Sequence, residues 1–151
     1  VTLARRNLSD CPNVEIVHTS FLDVRLPANS YCRGWARKAL HHLTDPEKDR
    51  FFRSVGPAFQ PDSLFLLEDG MFDFARERLE DEWPRVLREA EHYYGDRWAA
   101  IRADVEHTLR HEFPTGAERW AEALRCGGFV PVSVTQRTCF YGAILARKER
   151  E

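Results

Sequence analysis

The sequence lacks long apolar runs and shows no marked excess of either charge. No stretch approaches the ~20 consecutive apolar residues of a membrane-spanning helix, and none has the pattern of a signal peptide. The 22 basic and 24 acidic residues nearly cancel, and the formal net charge of -2 argues against a basic face for nucleic acid or an anionic membrane. We therefore expect no membrane partner, and this composition does not favour nucleic acid as a partner.

Cysteine is scarce and shows no pattern. The four cysteines, Cys11, Cys32, Cys126 and Cys139, are scattered, and no two have CxxC spacing. Hydrophobic residues make up 43% of the chain, which is enough for a core that needs no disulfides. We therefore predict one folded domain with reduced thiols, located in the cytoplasm.

The first half of the chain alternates strand-like and helix-like segments. Residues 14–17 (VEIV) are a short β-branched run that predicts a buried strand. Residues 44–47 (TDPE) have the form of a capping box, which predicts a helix from there to about Phe59. Residues 64–68 (LFLLE) form an apolar run typical of a strand in a covered parallel sheet, and residues 69–70 (DG) should end that strand.

The second half is helical and then strand-like. Residues 74–113 are rich in charged and helix-forming residues with a break near Gly95, and we interpret this stretch as a helical lid. An amphipathic helix is predicted over residues 117–125, followed by strands at residues 130–135 and 140–146. The alternation of elements favours a layered α/β domain, and the final strand pair favours an antiparallel edge.

Four segments resemble, in order and spacing, the second half of class I S-adenosylmethionine-dependent methyltransferases that act on small molecules. They correspond to the third strand with its loop, an LHHL sequence after the fourth strand, a helix leading into the fifth strand, and the last helix with its closing strands: residues 13–27, 39–43, 51–67 and 120–148. The resemblance implies an α/β fold with a Rossmann-like methyltransferase sheet, an antiparallel closing strand pair and a helical lid insertion. It also implies S-adenosylmethionine as the cofactor and a small-molecule substrate.

The same resemblance implies an N-terminally truncated domain over residues 1–151. The family's glycine-rich cofactor loop and its ribose-binding acidic residue should precede Val1. Residues 31–38 (YCRGWARK) fit neither a period of 2 nor one of 3.6, and they bring three cations to the place of a buried fourth strand. Compensating frameshifts are one explanation. We expect the chain to be inactive as given, with an exposed sheet edge through which a homodimer forms.

The resemblance places cofactor contacts after the third and fourth strands. Ser20 stands where the family usually has an aspartate for the adenine amino group, and the backbone N–H and ring of Phe21 would meet adenine. The alternative is an ordinary loop serine beside a core phenylalanine. Ala39 and Leu40 would contact the cofactor after the fourth strand.

His41 and Asp69 are the candidate catalytic residues. An imidazole at His41 could act as a general base, whereas His42 is more simply a helix-entry histidine bonded to the backbone. Asp69 could orient the acceptor or take its proton as the methyl group moves. The alternative for Asp69 is a solvated aspartate in a turn before Gly70.

The sequence leaves three functions open. The first is methyl transfer from S-adenosylmethionine to a small molecule. The second is a non-catalytic remnant or binding module that kept the scaffold. The third is an unrelated α/β domain with a metal site at His107 and His111, which have i, i+4 helical spacing with Glu112 beside them. Because no third ligand accompanies this pair, we predict no metal site.

Overall fold

The computed structural model describes residues 1–150 and contains five strands and five α-helices. The strands are β1 (Tyr31–Arg37), β2 (Phe59–Phe72), β3 (Thr115–Gly116), β4 (Phe129–Thr138) and β5 (Tyr141–Lys148). The helices are α1 (Thr2–Asn7), α2 (Asp45–Val55), α3 (Leu79–Tyr94), α4 (Trp98–His111) and α5 (Ala117–Cys126). None of these helices is both long enough and apolar enough to cross a membrane.

The strands form one mixed sheet in the order β1-β2-β5-β4, and the short β3 pairs with the end of β2. β1 and β2 are parallel, whereas β5 is antiparallel to both β2 and β4. This topology confirms the predicted α/β sheet with an antiparallel closing pair. The closing strands are longer than predicted, and the chain turns between them at Cys139 and Phe140 instead of at residues 136–138.

Two apolar clusters stabilise the sheet. One includes residues of α2 and α5, and its fully buried members include Phe52, Leu67, Trp120 and Ile144. The other includes residues of α3 and α4 together with the turn between β4 and β5, and Phe72 and Val86 are fully buried in it. Burial of such large side chains contributes roughly 1.5–3 kcal/mol each, so both helix pairs are held firmly against the sheet.

β1 explains the segment that fits no period in the sequence. Arg33, Trp35 and Arg37 are exposed, while Gly34 and Ala36 are half-buried, so the strand does alternate with a period of 2. The inward residues are small because β2 comes close: a Cβ at Gly34 would lie 2.4 Å from Cδ2 of Phe65. β1 is an edge strand, so its cations remain in solvent and no charge is buried.

The prediction of a buried strand at residues 14–17 is wrong. The segment between α1 and β1 contains turns, and Val14 and Val17 are 42% and 55% exposed. The backbone N–H of Val14 donates to Cys11 in a local turn, and no described strand pairs with this segment. A β-branched run becomes a strand only beside a partner, and none is present here.

β2 is longer than predicted at both ends. α2 ends at Val55, not near Phe59, and a 3₁₀ turn then leads directly into the strand. The strand continues through Asp69 and Gly70, which pair with β5, so the prediction that these residues end it is wrong. Asp69 therefore lies within a central strand and not in a solvated turn.

The helical stretch at residues 74–113 forms α3 and α4, which are separated at Gly95 as predicted. Gly95 has a φ of 53°, a conformation that favours glycine, and it caps the C-terminus of α3. The role of these helices as a lid stays a prediction.

Candidate active site

Asp69 lies in the middle of the sheet with no exposed surface. Its Oδ2 accepts hydrogen bonds from the backbone N–H groups of Ala39 (3.1 Å) and Leu40 (2.8 Å). Its Oδ1 accepts from Nδ1 of His41 at 2.5 Å and from the backbone N–H of Gly70 at 2.8 Å. The carboxylate thus fixes the chain just after β1 onto the neighbouring strand.

Burial acts to raise the pKa of the Asp69 carboxyl, because it penalises the charged form. The hydrogen bonds from His41 and from the backbone of Gly70 and Leu40 outweigh this effect and hold the pKa below its ordinary value. Asp69 is therefore an ionised acceptor at neutral pH, which is the state that suits a group that orients an imidazole.

His41 sits in a 3₁₀ turn (Leu40–His42) and is 8% exposed. Its backbone carbonyl accepts from the N–H of Phe113, which ties this turn to the end of α4. Because Asp69 accepts only, the neutral His41 ring carries its proton on Nδ1, and the lone pair is on Nε2. Asp69 thereby selects the tautomer whose Nε2 can take a proton or bind a cation.

Glu112, immediately after α4, faces the other side of the His41 ring. Its Oε2 lies 3.1 Å from Nε2 of His41, and its Oε1 lies 3.4 Å from Nδ1 of His42. The first distance is that of an ion pair, but the direction does not suit an N–H···O hydrogen bond, so Oε2 is buried without a hydrogen-bond partner. His41 thus lies between two carboxylates.

A cavity of about 240 Å³ opens beside His41, between the carboxyl ends of β1 and β2 and helix α4. Ligands of open α/β sheets bind at this end of the strands. Burial raises the pKa of Tyr94, which stays neutral in the wall of the cavity. The lining residues are Lys38, His41, Gly70, Tyr94, Asp104, Val105, Thr108, Leu109, Phe140 and Tyr141.

The structure brings His41 and Asp69 together. The backbone N–H groups of Ala39 and Leu40 donate to Asp69 and so help to hold its carboxylate beside His41. Contact of Ala39 and Leu40 with a cofactor stays a prediction. Ser20 and Phe21 are exposed and do not line the cavity.

Around these two residues the contacts are local. The Ser20 hydroxyl accepts from the N–H of Leu22, and the ring of Phe21 packs edge-on against Phe51 of α2. Adenine contacts at Ser20 and Phe21 stay predictions.

Sequence reasoning missed the position of Glu112 and the lining residues of α4 and β5. No local motif joins Glu112 to His41, because the contact depends on where α4 ends relative to the sheet. The pair that sequence reasoning did consider, His107 and His111, is exposed on α4 with ring centroids 5.1 Å apart. Within residues 1–150 this pair has no third ligand.

No family model matches the sequence, and no match among curated proteins was found. Solved structures do match the fold. The S-adenosylmethionine-dependent methyltransferase SibL in its apo form is 17% identical, with a TM-score of 0.65 over 99% of this chain and 40% of SibL.

Two further matches widen the range of chemistry on this fold. The 1,6-didemethyltoxoflavin-N1-methyltransferase of Burkholderia thailandensis, solved with bound 1,6-didemethyltoxoflavin and S-adenosylhomocysteine, is 14% identical, with a TM-score of 0.63 over 98% of this chain and 56% of that one. The [4+2]-cyclase SpnF is 15% identical, with a TM-score of 0.63 over 99% of this chain and 61% of SpnF.

These identities show the fold alone, and the matched proteins are longer. The chain spans 39% to 64% of the length of the solved structures it resembles. Each match covers at least 95% of this chain. The chain has the fold of the class I S-adenosylmethionine-dependent methyltransferases.

Proposed function

We propose that this chain carries the acceptor side of an S-adenosylmethionine-dependent methyltransferase that acts on a small molecule. The observation that supports it most is the position of the Asp69–His41 pair. On a methyltransferase fold, the pair lies at the carboxyl ends of two parallel strands, and His41 lines a cavity there. Longer proteins with this fold, such as SibL and the 1,6-didemethyltoxoflavin-N1-methyltransferase of Burkholderia thailandensis, are named as methyltransferases, which supports this proposal.

The residues present fit an acceptor better than a whole cofactor. A cavity of about 240 Å³ is smaller than the roughly 300–1,000 Å³ of common ligand pockets. It can hold a small acceptor, but it cannot hold the acceptor and a complete nucleoside cofactor together. S-adenosylmethionine, when bound, supplies an electrophilic methyl group. We assign its adenine end to the surface near Ser20 and Phe21, outside the cavity.

In this proposal His41 holds the acceptor and takes its proton at Nε2, which requires that Glu112 Oε2, 3.1 Å from this nitrogen, turns aside when the acceptor binds. Its Nε2 lone pair is directed away from Asp69, and the ionised Asp69 stabilises the imidazolium that forms when the proton arrives. The pair also fixes the ring so that the acceptor is aligned, and alignment of this kind supplies much of the rate of a methyl transfer.

The cavity walls indicate the shape of the acceptor. Tyr94, Phe140 and Tyr141 provide aromatic surface, and Lys38 lies at the rim with its Nζ 5.1 Å from the Tyr141 ring centroid. Aromatic walls favour a flat molecule, and the lysine favours a polar or anionic substituent. A cytoplasmic location is part of the proposal and is supported by the four free cysteines.

A second candidate is a binding module without methyl transfer. It is favoured by Asp69, because this carboxylate occupies the backbone N–H groups of Ala39 and Leu40, two residues predicted to contact the cofactor. It is also favoured by SpnF, a cyclase with the same fold. Such a module would keep the cavity and bind the small molecule alone.

Calorimetric titration with S-adenosylmethionine and, separately, S-adenosylhomocysteine distinguishes the two. Methyl transfer by this chain itself requires that both ligands bind, with the adenine end near Ser20 and Phe21 and the amino-acid end toward His41, so it predicts saturable binding of both. Adenosine serves as the control, and it should bind more weakly because it lacks the amino-acid end. An absence of heat with millimolar S-adenosylhomocysteine would overturn the proposal for this chain and leave the binding module.

A further inference from the structure

Three side chains converge beside the cavity: His41, His42 and Glu112. Their ligand atoms all lie within 4.8 Å of one another. Among residues 1–150 no other set of three or more histidine, cysteine or carboxylate side chains is close enough to share a metal ion. The methyl-transfer proposal gives no role to His42 or Glu112.

The contact between His41 and Glu112 is short and contains no hydrogen bond. With the Nδ1 proton donated to Asp69, the neutral ring presents the Nε2 lone pair to Glu112 Oε2 at 3.1 Å, so two acceptors face each other. A proton on Nε2 would relieve the repulsion, but the 3.1 Å contact does not have the geometry of an N–H···O hydrogen bond. Oε2 accordingly has no hydrogen-bond partner although it is buried.

The same geometry suits a metal ion. Zn–N and Zn–O bonds of about 2.0–2.2 Å at tetrahedral angles put neighbouring ligand atoms about 3.4 Å apart. Glu112 Oε2 lies 3.1 Å from His41 Nε2, and the other oxygen, Oε1, lies 3.4 Å from His42 Nδ1. With one ligand atom from each residue, the three atoms lie within 4.8 Å of one another, so the side chains must draw slightly closer around an ion. Ligand atoms around a metal point at a third position and not at each other, which explains the misaligned N–H direction.

The surroundings hold the ligands in place. Asp69 accepts from His41 Nδ1 and gives the carboxylate–histidine arrangement that orients metal-binding imidazoles. Arg76 donates to the backbone carbonyl of Glu112 (2.6 Å), and Lys48 donates to that of Phe113 (2.6 Å). Because the backbone on both sides of the site is fixed, little ordering remains when an ion binds.

We propose that His41, His42 and Glu112 bind one divalent transition-metal ion of the zinc type. Two imidazoles and one carboxylate suit zinc, whereas magnesium prefers oxygen ligands alone. His41 also lines the cavity, which leaves the remaining coordination position for water or a small ligand. The site differs from the one considered at His107 and His111, and it replaces the expectation of no metal.

The metal site does not rest on the methyl-transfer proposal. A metal on Nε2 of His41 competes with a proton for the same lone pair, so zinc would inhibit a reaction that uses His41 as a base. The two titrations are therefore independent tests: the chain can bind zinc without binding S-adenosylmethionine, and it can bind S-adenosylmethionine without binding zinc.

The test is titration of tag-free, chelator-treated protein with Zn²⁺, followed by calorimetry, with Co²⁺ as a spectroscopic substitute. We expect saturation near one equivalent and a visible Co²⁺ spectrum of a tetrahedral site. Mg²⁺ in excess should not displace Zn²⁺. The variant His42→Ala changes a side chain that is 55% exposed, so it should fold, and it should weaken Zn²⁺ binding at least about tenfold.

Glu112→Gln should weaken binding by a similar factor while keeping the shape of the side chain. The matched control is the double variant His107→Ala and His111→Ala, which removes an exposed histidine pair from the adjacent helix and should leave the affinity unchanged. Absence of saturable binding would overturn the proposal. A loss confined to the His107 and His111 variant, or equal binding of Mg²⁺, would overturn it as well.

Discussion

Asp69 has four hydrogen-bond donors around it and no exposed surface, so its charge state affects both stability and chemistry. An asparagine in its place offers one oxygen and turns an NH₂ group toward N–H donors. Leaving such donors unpaired in a buried position costs roughly 1–3 kcal/mol. The residue therefore stabilises the fold while it orients His41.

We predict that Asp69→Asn lowers the free energy of unfolding by about 2 kcal/mol near neutral pH. The folded-state pKa of Asp69 is below its ordinary value of 3.8, so the stabilisation is fully present above pH 3.8. It is lost as the pH falls through the lower, folded-state pKa. Denaturant unfolding of both proteins over a range of pH measures the difference.

The control for this experiment is Asp81→Asn on the exposed face of α3, which should change stability by less than about 0.5 kcal/mol. A wild-type advantage over Asp69→Asn that does not shrink in acid would contradict the assignment of Asp69 as an ionised acceptor.

Among the elements, β1 was the hardest to predict. Its inward residues are glycine and alanine and its outward residues include arginine and tryptophan, so no apolar face is visible in the sequence. The strand forms because Gly34 lets it approach Phe59 and Phe65 closely. The strands β2 and β5 and the helices α2 and α5, by contrast, carry bulky apolar residues at the expected periods.

β1 also has an open edge, since β2 pairs with it on one side and no described strand pairs on the other. Trp35 is 63% exposed on this strand. The homodimer through this edge stays a prediction. The arginines of β1 should weaken it. In an antiparallel pair centred on Trp35, Arg33 of one chain would face Arg37 of the other, and like charges are destabilising there.

Sedimentation of the protein at low and high salt tests this prediction. We expect a dimer whose population grows with salt, because screening weakens the repulsion between arginines. Trp35→Glu should shift the protein to monomer. A wild-type protein that stays monomeric at every salt concentration would show that the arginines protect the edge and that no dimer forms.

For the molecule as a whole, local patterns predicted the α/β class, the antiparallel closing pair and the helix break at Gly95. They failed at residues 14–17, where β-branched residues have no partner strand, and at Asp69-Gly70, where turn-like residues lie inside a strand. The pairing of Asp69 with His41 was predicted only as two separate candidates. Glu112 was not assigned to the site, because its position depends on the packing of α4.

Both proposals depend on one contact that forms only when the whole domain folds. His41 follows β1, Asp69 lies in β2, and Glu112 follows α4. The surroundings of the His41 ring therefore form only when these three elements are packed together. Asp69 should keep a proton on Nδ1 of His41 in both the neutral and the charged ring.

The most direct measurement is the nitrogen–proton NMR spectrum of the histidine side chains, assigned with Asp69→Asn. We predict a proton on Nδ1 of His41, deshielded by its 2.5 Å hydrogen bond to the carboxylate and lost in the variant. If His41 instead carries its only proton on Nε2, or exchanges rapidly between the two nitrogens, then Asp69 does not orient it. The assigned roles of this site in methyl transfer and metal binding would then be wrong.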